Sequence, residues 1–483
     1  MDVLKNIYPE GMFRYFEELC AIPHGSGNTR QISDYCVEFA RKHGFEYYQD
    51  GANNVIIIKP ATKGYEEAAP VIIQGHLDMV CEKAAESSMD FFKDGLELIV
   101  EGDYIRANGT TLGGDDGIAV AMALALMDDN TVSHPRLEAV FTTDEEIGML
   151  GAAVLDVSML KGRKLINIDS EAEGIFTVSC AGGICSTCIL PVQRDMVRGI
   201  EYDITIDGLI GGHSGVEIDK GRANSSVLMG RLLYSLSKEL PINIMSLSGG
   251  MKDNAIPVKT RAAIVLNSQD VDKAEGIVEG FRIAFKNEYI TPDPDIRIST
   301  EISEETKDIW VLNCDSTRKV IGLLMLLPNG IQAMSMDIPG LVQTSLNMGI
   351  LILEEDALRC SFAVRSSIDS QKKMLNDRLS CMMELLGGRM EFMGDYPGWE
   401  FKKDSDLREI LVQVYREQYG SEPKIEAIHA GLECGMFSGK LPGLDCISFG
   451  PNLIDIHTYR ERMSISSVQR VWNFLLEAIR RMQ

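Results

Sequence analysis

Four short stretches of this chain concentrate side chains that bind metals: QGHLD (Gln74 to Asp78), GGDDG (Gly113 to Gly117), TTDEEIG (Thr142 to Gly148) and NIDSE (Asn167 to Glu171). Imidazole and carboxylate are the donors that zinc and neighbouring divalent ions accept. Three of the stretches close an apolar run that reads as a strand: Val71-Ile72-Ile73, Leu137 to Phe141, and Leu165 to Ile168. A fourth run, Cys446 to Phe449, leads towards an isolated His457. In an open α/β sheet the carboxyl ends of parallel strands border one crevice, so residues far apart in sequence meet there. One early histidine, several carboxylates and one late histidine make a ligand set for a pair of zinc ions.

Each cluster has a chemical reading and a plain one. Residues two apart on an extended chain point the same way, so His76 and Asp78 share a face. Asp78 is placed to hold the second ring nitrogen of a metal-bound His76, although HxD alone is also how a polar turn after a buried strand looks. Asp115 and Asp116 open an Ala-rich apolar helix, Ile118 to Met127, that must be buried. The helix dipole explains one carboxylate there. Two between glycines are costly unless cations neutralise them, and Asp115 reads as a metal bridge. Asp144-Glu145-Glu146 would cost little on a solvated loop, yet Gly148 to Ala152 reads as a turn into a packed helix. Neighbouring glutamates there can divide the labour, one holding metal and the other taking a proton from water. Leu165 to Ile168 delivers Asp169 to another strand end.

The elements that position these groups follow from periodicity. Pro9 to Leu19 and Gln31 to His43 read as amphipathic helices, and Asn54 to Lys59 as a strand. His24, in a Gly-rich break, His43, at a helix C-terminus, and His134, beside Pro135, read as structural. From about Cys185 to Pro397 the metal-type clusters disappear and strands alternate with helices, which predicts an inserted α+β domain with an antiparallel sheet. The expected division is 1–184 with 397–483, and 185–396. A chain of 483 residues exceeds one hydrophobic core. Ser405 to Tyr419 and Val468 to Met482 are predicted helices of the returning segment.

Composition excludes some classes. A net charge of −24 disfavours nucleic acid and anionic membranes as partners. No window approaches about 18 apolar residues and the N-terminus has no apolar leader, so a cytoplasmic enzyme is expected. The eleven cysteines are dispersed. The lone CxxC, Cys185 to Cys188, lies in a strand-like run and reads as structural.

The ordered set GHLDMV, GTTLGGDDGIAVA, TTDEEIGMLGA, NIDSE, GGHSG and HAGLECG with a late histidine resembles the metallopeptidases of the aminoacylase/carboxypeptidase G clan. Within it, the chain is similar to the bacterial aminoacyl-histidine dipeptidases along its whole length. The resemblance implies an α/β zinc-peptidase domain, with a largely parallel sheet flanked by helices, and an inserted α+β lid and dimerisation domain. It implies two Zn2+ per chain, with Co2+ or Mn2+ as substitutes. Asp115 would bridge them, His76 and Asp169 would bind one, and Glu146 and His457 the other. Glu145 would be the general base, with Asp78 orienting His76. In the lid, His213 would donate to the developing oxyanion, often from a neighbouring subunit, and Asn254 and Arg365 would hold the substrate carboxylate. Backbone groups near Gly431 would meet the substrate. The implied activity is metal-dependent hydrolysis of dipeptides, preferentially of the Xaa-His type such as β-alanyl-histidine, by a homodimer. An N-acyl amino acid deacylase, a tripeptidase and an inactive scaffold on the same fold are the alternatives. One departure stands out: the closing histidine commonly precedes Ser-Pro, and here Thr458-Tyr459 follows, before Glu461-Arg462 rejoins the pattern.

Overall fold

In the computed structural model, which describes residues 3–483, the apolar runs lie side by side as strands. Leu137–Thr142, Val71–His76, Lys164–Asn167 and Asp445–Ser448 are consecutive and parallel. Every residue in them except Lys164 is buried, which is why they read as unbroken hydrophobic runs and not as alternating ones. Further strands flank this core. Val55–Lys59 and Glu46–Gln49 extend one side, and Ile175–Cys180, then Lys424–Ile428, extend the other. His76 pairs with Thr142 and Gln74 with Asn167, so the strands stop level with one another. The polar clusters after them therefore emerge along one edge.

The helix Gly114–Asp128 is buried on all sides from Gly117 to Met127. It packs against the Val71–His76 strand and the helix Glu10–Cys20, the burial expected of a helix apolar all round. Asp115 and Asp116 keep non-helical backbone angles at its start. A small sheet of four short strands carries the late histidine. Leu453–Ile454 and Arg462–Ser464 form a hairpin whose loop holds His457, and Tyr104–Ala107 and Leu98–Glu101 continue the sheet. The last two escape a periodicity reading because they are short and carry Glu101 and Arg106.

The chain forms two compact units. One holds the chain up to Cys180, Phe401–Ala427 and Leu432–Gln483; the other holds Ala181–Glu400 and Ile428–Gly431. The second unit is built on a ten-stranded sheet whose pairings are antiparallel. The helices Ser225–Glu239, Val271–Glu288, Cys314–Leu326 and Asp369–Leu386 pack on it. All eleven cysteines are free thiols. Cys185 and Cys188 lie three apart on the strand Gly182–Pro191, so they face opposite sides of the sheet and cannot act as a pair. Among the described residues, no helix is long and apolar enough to cross a membrane.

Candidate metal centre

His76 closes its strand with the ring fully buried. Its Nδ1 lies 2.9 Å from the carbonyl oxygen of Asp78. A carbonyl only accepts, so Nδ1 carries the proton and Nε2 is the nitrogen presented to the site. Asp78 thus reaches His76 through its backbone, its carboxylate standing 3.6 Å away. That carboxylate is used elsewhere. It accepts from the Ser26 hydroxyl at 2.8 Å, the Glu145 N–H at 3.0 Å and the Glu146 N–H at 3.3 Å, so it holds the turn that presents both glutamates.

The two oxygens of Asp115 reach different histidines. Oδ1 lies 3.1 Å from His76 Nε2, and Oδ2 lies 3.1 Å from His457 Nε2. His457 Nε2 is also 3.1 Å from Glu146, and His76 Nε2 is 3.6 Å from Asp169. Three groupings bring their donor atoms within 4.8 Å of one another: His76 with Asp116 and Asp169, His76 with Glu145 and Glu146, and Asp115 with Glu146 and His457. His457 sits at φ 58°, a left-handed conformation uncommon outside glycine and found where function holds the backbone. Asp116 was not among the expected site residues. Its Oδ2 accepts from the His76 N–H at 3.3 Å, and its buried Oδ1 has no hydrogen-bond partner. The signal was the second aspartate at the mouth of a buried helix.

Charge is unbalanced here. Among the described residues, only His76 and His457 form ion pairs with Asp115, Glu146 and Asp169. Burial pushes Glu145 up to about 9, with Asp169, Glu433 and Glu146 adding to it, and burial takes Asp169 to about 6. Burial also raises Asp116 well above the carboxylate range. Asp115 and Glu146 push His457 up to about 10. Burial opposes charge on His76, but Asp115 and Asp169 outweigh it and hold His76 well above its usual value. Buried carboxylates in excess of cations, with an unpartnered aspartate oxygen among them, fit divalent metal ions.

Two buried glutamates support the cluster from behind. Glu461 accepts from the N–H groups of Leu112 at 2.7 Å, Gly113 at 3.2 Å and Gly114 at 2.8 Å. It thereby shapes the loop that presents Asp115. Glu461→Gln leaves one good acceptor where three donors converge, and we expect metal affinity to fall about 10–100-fold, measured by chelator competition, with the fold kept. Glu433 is bound by Thr142 Oγ at 2.7 Å and by Gln74, which in turn accepts from Asn167 at 2.6 Å. It belongs to none of the metal groupings.

In the second unit, three separately predicted segments meet. The strand Gly212–His213 pairs with Ala255–Ile256, and Ser214 N–H donates to the Asn254 carbonyl at 2.9 Å. His213 Nδ1 accepts from the N–H groups of Gly215 and Val216, both at 3.2 Å, so its proton sits on Nε2. Burial and the Arg365 charge lower its pKa, keeping it a neutral N–H donor. Arg365 is 8% exposed. Its hydrogen bond goes to the neutral Tyr396 hydroxyl at 3.1 Å, its Nε has no partner, and it forms no ion pair among the described residues. Gly431 ends the segment Ile428–Gly431 that belongs to this unit. In that segment His429 Nε2 lies 2.7 Å from Ser345 Oγ, and burial holds its pKa at about 3, against 6.5 ordinarily. A base that resists protonation only when folded costs stability as pH falls from the ordinary value towards the lowered one. Thermal unfolding should therefore show wild type losing stability between about 6.5 and about 3, and His429→Gln losing less.

Residues 72–481 match peptidase family M20/M25/M40, and the chain belongs to this family of metal-dependent peptidases. It is 36% identical over 482 residues to the cytosol non-specific dipeptidase of Escherichia coli K12, covering 99% of each chain. The crystal structure of an aminoacylhistidine dipeptidase from Vibrio alginolyticus superposes with a TM-score of 0.94 at 35% identity, covering 99% of this chain and 97% of that one. Aminopeptidase PepT from Bacillus cereus, at 15% identity and a TM-score of 0.55 with 99% of each chain covered, shares the fold.

Proposed function

We propose that this chain is a cytosolic dipeptidase that holds two zinc ions, with Co2+ or Mn2+ able to replace them, and that accepts Xaa-His peptides such as β-alanyl-histidine. The observation that carries the reading is the Asp115 carboxylate, one oxygen turned to each of two histidines on opposite ends of the chain. His76 and Asp169 would hold one ion, Glu146 and His457 the other, and Asp115 both. Bound, such ions supply Lewis acidity that polarises a peptide carbonyl and lowers the pKa of water. Glu145 takes the water's proton and delivers it to the leaving amine. Its place in the His76, Glu145 and Glu146 grouping, with its N–H held by the Asp78 carboxylate, supports this role. Asp78 keeps the Glu145 turn and the His76 ring in place. His213 donates its Nε2–H to the oxyanion, and Arg365, lacking an ion-pair partner, takes the peptide's carboxylate in a fork, with Asn254 and the backbone at Gly431 beside it.

The two dipeptidase relatives differ in the breadth that their names state, and the test is a substrate panel. Zinc-loaded protein is offered β-alanyl-histidine, other dipeptides, a tripeptide and acetyl-methionine. Cleavage of dipeptides above the rest supports the reading, and a preference for acetyl-methionine or the tripeptide sinks it. His213→Ala should keep both metals and the fold while kcat falls about 10²–10³-fold. If His213 serves a neighbouring subunit of a homodimer, mixing His213→Ala with Glu145→Gln restores partial activity. A mixture as inactive as its parents, with exchange verified, confines the site to one subunit.

A further inference from the structure

Glu146 also lines a cavity of about 730 Å³ in the first unit, within the range of small-molecule sites. Its walls come from the Gly25 to Asn28 turn, the residues that follow Asp78, and the loop from Lys83 to Phe92. The first two are stitched together: Met79 N–H donates to the His24 carbonyl at 3.2 Å, and Ser26 binds Asp78. A Cβ on Gly25 would come within 2.3 Å of Cys81 Sγ, so this wall is closely packed. Most of the lining surface is apolar, from Met79, Val80, Met89, Phe91, Phe92 and Ile147, with Ser26, Asn28 and Ser88 as uncharged polar members and the buried Asn28 Nδ2 without a hydrogen-bond partner. Its charged members are engaged elsewhere. Lys83 Nζ donates to the Met89 carbonyl at 2.6 Å, and Asp90 pairs with Lys93 at 2.7 Å. Burial and Asp78 push the Cys81 thiol up to about 11, leaving it neutral.

Two features point to a ligand. Phe92 is 72% exposed and Ile147 is 55% exposed, large apolar groups left in water at the mouth of an apolar cavity, where covering them is favourable. Glu146 is also common to the cavity wall and to the metal groupings. A peptide whose scissile carbonyl lies at the metals carries its N-terminal side chain on the carbon next to that carbonyl, on the side of the site that Glu146 would share with the cavity. We propose that the cavity is the specificity pocket for the side chain of the substrate's N-terminal residue, and that it selects apolar groups of the leucyl or phenylalanyl kind. This rests on the proposed dipeptidase activity.

Kinetics and binding test it separately. Phe92→Ala, and Met89→Trp to fill the pocket, should each lower kcat/KM for Leu-Gly and Phe-Gly about 10-fold, while Gly-Gly and Gly-Leu change less than about twofold and metal content holds. Equal losses on all four peptides, or losses that follow the second residue, overturn the proposal. The binding test needs no turnover, because Cys81 lies in the wall with its thiol partly accessible and labels at alkaline pH, while Cys314 and Cys381 are exposed elsewhere. In metal-loaded Glu145→Gln protein, saturating Leu-Gly should slow N-ethylmaleimide labelling of Cys81 several-fold. Cys314 and Cys381 should label at unchanged rates, and Gly-Gly should not protect. Labelling of Cys81 unaffected by Leu-Gly refutes the pocket. If wild type cleaves no dipeptide while Leu-Gly still protects Cys81, the proposed activity falls and the pocket stands.

Discussion

Asp115→Ala protein, purified and analysed for metals, should hold neither ion, and its peptidase activity should fall to background. The expectation follows from the geometry. Each Asp115 oxygen stands at 3.1 Å from a different imidazole, so one truncation removes the carboxylate that the two histidines share. Removing a ligand that serves a single ion, as in Asp169→Ala, should instead leave part of the metal behind. Elemental analysis that finds one ion retained in Asp115→Ala, or the same content in both variants, would show that Asp115 does not bridge.

Glu145→Gln and Glu146→Gln should separate although the residues are neighbours. The amide at 145 keeps size and hydrogen bonding but cannot take a proton, so metal content stays while kcat drops by about 10²–10⁴. The amide at 146 removes a charged donor beside His457, so metal is lost and excess zinc recovers part of the activity. Both turns depend on the Asp78 carboxylate, which accepts the two backbone N–H groups. Identical metal loss in the two variants would falsify the division of roles. Retained turnover in Glu145→Gln would move the proton acceptor to another group.

Much of this centre is legible in the residues because metal chemistry restricts donor types and because buried parallel strands restrict where runs end. QGHLD, TTDEEIG and NIDSE follow strands whose apolar runs are complete in the sequence, and those strands are adjacent in the sheet. The fully apolar helix behind GGDDG needs burial whatever surrounds it. Other parts depend on partners that sequence spacing does not reveal. The reading of Asp78 as an imidazole-orienting carboxylate followed from its place two residues after His76. In the structure the carbonyl does the orienting, and the carboxylate binds a turn 67 and 68 residues away. The sequence singles out Asp115 of the doublet, and the unpartnered oxygen of Asp116 is visible only once its surroundings are packed.

Glu461 shows the same limit from the other side. Its hydrogen bonds run to Leu112, Gly113 and Gly114, across nearly 350 residues of chain, and no local pattern relates the two segments. The sequence by itself determined the donor types, the strands that end in them and the presence of an inserted antiparallel domain. These follow from local periodicity and from the chemistry of each side chain. Tertiary structure alone decided which oxygen faces which imidazole, which glutamates serve as scaffolding, and that Glu146 borders a cavity as well as the candidate metal centre. Those are matters of direction and distance between segments, and they arise only when separate stretches of chain are packed together at close range.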